Sequence, residues 1–130
     1  METQTLLILI AIGVGAGILS GFVGVGGGVI IVPALLYTFS MSQYEAQGTS
    51  LFVLLLPVGI LAVRNYWVSG NINWKFGMIV ALTFVAGGYI GSKLALRINP
   101  AIVKLVFGVL MAYVSIRMIS SGIKTLNNDF

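Results

Sequence analysis

Gly21-Phe-Val-Gly-Val-Gly-Gly-Gly-Val-Ile-Ile-Val-Pro-Ala-Leu-Leu36 sets five glycines and a proline inside an uncharged apolar run that extends from Leu6 to Phe39. In water, a cluster such as Gly24, Gly26, Gly27 and Gly28 reads as a loop. Here it falls where hydrocarbon is expected. Backbone that leaves the helix at membrane depth survives only where protein or a wet cavity surrounds it. Glycine also lets backbone approach a ligand or another helix closely. The stretch therefore predicts an unwound segment lining a polar site in a membrane protein, with the rest of the chain building the walls.

Composition agrees. The chain has 130 residues, of which 58% are hydrophobic and 8% charged, with a mean hydropathy of +1.08. Soluble domains carry about 25% charged residues, and so small a domain has too little interior to hide this much apolar surface. The net charge of +4 comes from seven scattered cations that form no basic stripe, so nucleic acid is not an expected partner. In a membrane chain, Lys and Arg report topology and headgroup contact instead. Cys and His are absent, which removes thiol chemistry, disulfides and the usual transition-metal ligands. Glu2, Glu45 and Asp129 are too far apart in sequence to suggest a carboxylate pair, and no nucleophile–base–orienter set can be assembled. The expectation is no enzyme, no catalytic residue, no metal site and no cofactor. The N-terminus has an apolar centre, but its flank is Glu2 and the apolar run continues past any cleavage site. It reads as a retained membrane segment rather than a signal peptide.

The predicted fold is all-α: a polytopic transmembrane protein of four to five membrane helices, in a single domain over residues 1–130, with helices over about 6–21, 29–39, 43–66, 74–97 and 100–123. Gly13, Gly17 and Gly21 repeat every fourth residue, the small-xxx-small pattern of close helix packing in lipid. The run from Leu6 to Phe39 has 34 residues. As one straight helix it would measure about 51 Å, against a hydrocarbon layer of about 30 Å. It is either one long, tilted, broken helix or a hairpin with one short arm, and glycines at its centre favour the hairpin. Ser42 and Glu45 have capping-box spacing, so a helix starts near Gln43. Pro57 bends that helix and frees the carbonyl of Val53. Tyr66, Trp67 and Trp74 form an interfacial belt. Asn73 is an N-cap, and Asn99-Pro100 is a cap followed by a first-turn proline.

Gly24-Val-Gly-Gly-Gly-Val-Ile-Ile-Val-Pro33 resembles the signature of the TauE/SafE sulfite exporter family. The similarity continues through Ala46-Gln-Gly-Thr-Ser50, Gly70-Asn-Ile-Asn-Trp74, Gly87-Gly-Tyr-Ile-Gly91 and Phe107-Gly108, in order and over nearly the whole chain. The resemblance implies transport of small sulfur-containing anions, such as sulfite, thiosulfate or organosulfonates, across a bacterial or archaeal plasma membrane. Members of this family usually look like two fused copies of a unit of this size. One copy is present here, which points to a homodimer in the lipid bilayer.

The residues themselves suit an anion. An unwound glycine segment followed by a helix presents free N–H groups at the positive end of the helix dipole. The expected substrate-binding residues are Gly24, Gly26, Gly27, Gly28, Pro33, Thr49 and Ser50. Thr49 and Ser50 have two readings: donors to the anion, or hydroxyls bonded to carbonyls of their own helix. An alternative function is a dual-topology exporter of the multidrug type, which wants an intramembrane carboxylate. Another is an accessory membrane subunit whose glycines serve packing alone. Cation counts bear on assembly. Lys93, Arg97 and Lys104 fall on one side of the membrane, and Arg64, Lys75, Arg117 and Lys124 on the other, three against four. So even a split gives no strong orientation. A chain that inserts both ways pairs head to tail, so the expected dimer is antiparallel, with the glycine segments of both copies facing a shared path.

Overall fold

Local chemistry fixes where the helices begin and end. In the computed structural model, which describes residues 1–23 and 26–129, six helices follow in order: α1 (Thr3–Val23), α2 (Gly28–Phe39), α3 (Gln43–Leu55), α4 (Ile60–Val68), α5 (Trp74–Ala95) and α6 (Pro100–Asp129). The fold is all-α. Side-chain oxygens at three helix starts take up first-turn amides. The Ser42 hydroxyl accepts from Glu45 N at 3.1 Å, Asn73 Oδ1 from Phe76 N at 3.1 Å and Asn99 Oδ1 from Ala101 N at 2.9 Å. The α4 C-terminus closes as a Schellman turn on Gly70, at φ 77°. There Asn71 N donates to Tyr66 O at 2.9 Å and Gly70 N to Trp67 O at 3.1 Å.

Two breaks interrupt the apolar sequence. The first separates α1 from α2 at the glycines. The second divides the helix expected over 43–66. Pro57 does more than bend it: α3 ends at Leu55, α4 resumes at Ile60, and the pair is bent by 53°. The cause is local. Leu56, just before the proline, is pushed to an extended conformation, φ −74° and ψ 148°. Pro57 has no N–H for the turn below it. A tight turn then restarts the helix, with Val58 N on Leu56 O at 2.7 Å and Val63 N on Gly59 O at 2.9 Å. Elsewhere the ends move by a turn or so: α1 begins at Thr3, α5 ends at Ala95, and α6 runs on to Asp129.

The chain divides into two compact units, Met1–Gly91 and Ser92–Phe130. In the first, α2 packs against both α1 and α3, and the buried positions gather there: Ala16 of α1, Ile31, Val32 and Leu35 of α2, and Gln43, Ala46 and Ser50 of α3. No residue of α4 or α5 is buried. The second unit is the last turn of α5 and α6, again with no buried residue. Among the described residues α1, α5 and α6 are each long and apolar enough to cross a membrane, and the bent α3–α4 pair makes a fourth candidate crossing. With its 12 residues, α2 measures only about 18 Å, the length of a buried or re-entrant element rather than a full crossing. Tyr66, Trp67 and Trp74 are exposed beside the α4–α5 turn, and Lys75 Nζ sits 5.9 Å from the Trp74 ring centroid.

Removing the α3 cap tests how much local chemistry sets this hairpin. Ser42→Ala is expected to destabilise the protein by about 0.5–2 kcal/mol, read as a lower unfolding midpoint in detergent, with Ser42→Asn close to wild type.

Candidate substrate site

The glycine break and α3 meet at Ser50. Gly26 and Gly27 have φ of 77° and 82°, a left-handed conformation that costs other residues about 1–2 kcal/mol each. That is why glycine stands at both positions. Gly27 caps α2 with its backbone alone, making no side-chain cap, and its carbonyl accepts from both Ile30 N at 3.0 Å and Ile31 N at 2.8 Å. Gly27 is buried and Gly26 exposed. Gly28, the first residue of α2, lies against α3: a Cβ built on it would be 3.5 Å from Ser50 Oγ. Ser50 is itself only 3% exposed. The N-terminal end of α2, where first-turn amides point out of the helix, thus sits beside a buried hydroxyl.

Each expected site residue has a distinct place. Gly28 and Ser50 come together, with Gly26 and Gly27 directly before Gly28 in the chain. Gly24 lies outside the described residues. Pro33 is inside α2, half-buried and more than a turn beyond the glycines; its missing N–H leaves the Val29 carbonyl without its usual helical partner. Thr49 departs from the donor reading. Its hydroxyl donates to Glu45 O at 2.7 Å, four residues back, which is the helix-bonded alternative. So the proton that an anion would need is already committed.

Gln43 has a buried position that the sequence reading missed, having treated it only as a helix start. It is 5% exposed, and both Nε2 and Oε1 are buried without a hydrogen-bond partner. Leaving such groups unmet costs about 1–3 kcal/mol each. The available signal was spacing: Gln43, Ala46 and Ser50 stand at i, i+3 and i+7, one face of a helix. All three are buried, and α3 packs on α2. The buried positions of α2 and α3 carry no charge. A ligand here would meet only neutral dipoles: backbone amides, a hydroxyl and a carboxamide.

Residues 1–118 match the family described as sulfite exporter TauE/SafE. The chain belongs to that family. Its relatives include a probable membrane transporter protein of Xylella fastidiosa, 33% identical over 121 residues, or 92% of this chain and 44% of the relative. The probable membrane transporter protein YunE of Bacillus subtilis is 36% identical over 90 residues, covering 69% of this chain and 31% of the relative. A third, from Methanocaldococcus jannaschii, is 31% identical over 130 residues, covering 93% and 48% respectively. The chain therefore spans less than half the length of each of these relatives. No solved structure matches it.

The Gly28–Ser50 approach makes a direct prediction. Gly28→Leu overfills the seam between α2 and α3 and is expected to cost about 1–3 kcal/mol. Gly48→Ala, at a position with nothing within 4 Å, is expected to be neutral or stabilising by up to about 1 kcal/mol. Unfolding midpoints of the two variants in detergent check the contrast.

Proposed function

We propose that this chain is one half of a membrane transporter for small sulfur-containing anions, working as a homodimer, and not an enzyme. The observation that carries the reading is the approach of Gly28, at the α2 N-terminus just after the Gly26–Gly27 break, to the buried Ser50. Backbone amides and the helix dipole favour negative charge there, and the oxygens of sulfite, thiosulfate or a sulfonate accept hydrogen bonds. Neutral donors hold an anion less tightly than an Arg fork, which lets it leave again. Membership of the TauE/SafE family supports the substrate class. A multidrug exporter would want a carboxylate at membrane depth, whereas Glu2 precedes α1, Glu45 is exposed in the first turn of α3, and Asp129 ends α6.

The dimer reading rests on unfilled helix faces: no residue of α4, α5 or α6 is buried. In a pair of copies, the two glycine breaks face one central path at the bilayer of a plasma membrane. The near-even split of cations gives no strong orientation, so copies that insert both ways form an antiparallel pair, with the two halves related as in inverted-repeat transporters.

Purified protein in liposomes is expected to take up labelled sulfite, thiosulfate or a small organosulfonate and to ignore a quaternary ammonium dye. The reverse pattern would remove the anion reading. Ser50→Ala should weaken apparent affinity by about 0.5–1.5 kcal/mol, while Thr49→Val stays near wild type. Gly27→Leu should insert in the membrane but lose uptake.

Orientation has its own test. A C-terminal reporter is expected on both sides of the membrane, and crosslinks are expected between copies of opposite orientation. A single fixed orientation with only parallel crosslinks would defeat the antiparallel dimer.

A further inference from the structure

Among the described residues, the buried side-chain nitrogen and oxygen atoms without a hydrogen-bond partner are both those of Gln43. We infer that the Gln43 carboxamide is a second anion-binding position on the same path, and this rests on the transport reading above. Gln43 and Ser50 occupy the same face of α3, seven residues apart, a rise of about 10 Å. Gln47, one turn from Gln43 and half-buried, lies between them. The path thus has a polar point at each end of the α2–α3 seam: Gln43 near the turn that joins the helices, and Ser50 with the glycines at the other end.

The chemistry of the group fits this role. A carboxamide offers two N–H donors and an accepting oxygen. Oxygens of a small anion accept from Nε2, and a water of its hydration shell donates to Oε1. The other buried side chains of α2 and α3, apart from Ser50, are Ile31, Val32, Leu35 and Ala46, and none of them offers a polar atom. Among these buried side chains a water held by Gln43 finds no second polar partner, whereas buried waters typically make about three hydrogen bonds. An anion that brings its own hydration meets the group without that shortage. Two weak neutral positions in series also suit permeation, because binding must be firm enough to admit the ion and weak enough to release it.

The test compares wild type, Gln43→Leu and Gln43→Glu in liposomes with labelled sulfite and thiosulfate, alongside unfolding midpoints in detergent. Gln43→Leu is expected to keep or raise the midpoint and to lower apparent anion affinity at least tenfold. Gln43→Glu, nearly the same size, is expected to lose uptake increasingly as pH rises and its carboxylate ionises. A folded Gln43→Leu protein with wild-type affinity overturns the inference and leaves Gln43 a structural residue. If Gln43→Leu does not fold, Gln43→Glu decides, and uptake equal to wild type at high pH overturns the inference. Wild-type protein that moves neither anion overturns this inference together with the transport reading. Wild-type uptake with insensitive Gln43 variants overturns this inference alone.

Discussion

A backbone amide or carbonyl has no water to turn to inside hydrocarbon, and an unmet group there costs several kcal/mol. Two of the described departures from helix in the first unit answer that constraint. At Gly26–Gly27 the break sits at the end of α2, the helix that packs against both α1 and α3. At Leu56–Gly59 the chain closes a tight turn, in which Val58 N reaches Leu56 O and Ile60 N reaches Pro57 O. The capped starts of α3, α5 and α6 and the Schellman turn at Gly70 answer the same demand at the helix ends.

The constraint also explains why the buried surface is so narrow. Lipid is as apolar as Leu, so no hydrophobic drive forces membrane helices together. A helix such as α5, whose residues are all unburied, is at no disadvantage facing acyl chains. What must be shielded is the irregular backbone and the polar side chains. Burial is therefore concentrated on Gly27, on the α2 residues that follow it, and on one face of α3.

Much of this was legible in the sequence, because the signals are local and steric. Glycine at φ near 80°, proline without an N–H, and Ser or Asn before a helix each act through neighbours within four residues. The glycine break, the interruption at Pro57 and the three caps were readable for that reason. The depth of the Pro57 interruption was less so. A bend and a full break share the same residue, and only the extended Leu56 and the restart after Gly59 separate them. Two further features depend on contacts between helices. The approach of Gly28 to Ser50 joins residues far apart in the chain. The isolation of the Gln43 carboxamide depends on what α2 fails to offer it. Thr49 and Ser50 are adjacent and chemically alike, yet helical rotation sends one hydroxyl to its own backbone and the other to α2.

The same geometry bears on how a site without charge would treat an anion. A Lys or Arg at the seam would bind more tightly, but it would itself need burial at membrane depth, where an isolated cation is expensive. Backbone amides avoid that cost because they are present in any case and are freed simply by ending a helix. Their number is limited by the helix end, so a single such end gives a shallow well. In the proposed dimer two glycine breaks share the path. If Gln43 adds a further stop on each copy, the ion passes along several shallow wells rather than resting in one deep one. On this reading, the unpaired carboxamide and the lack of buried charge serve one requirement, holding an anion just long enough to pass it on.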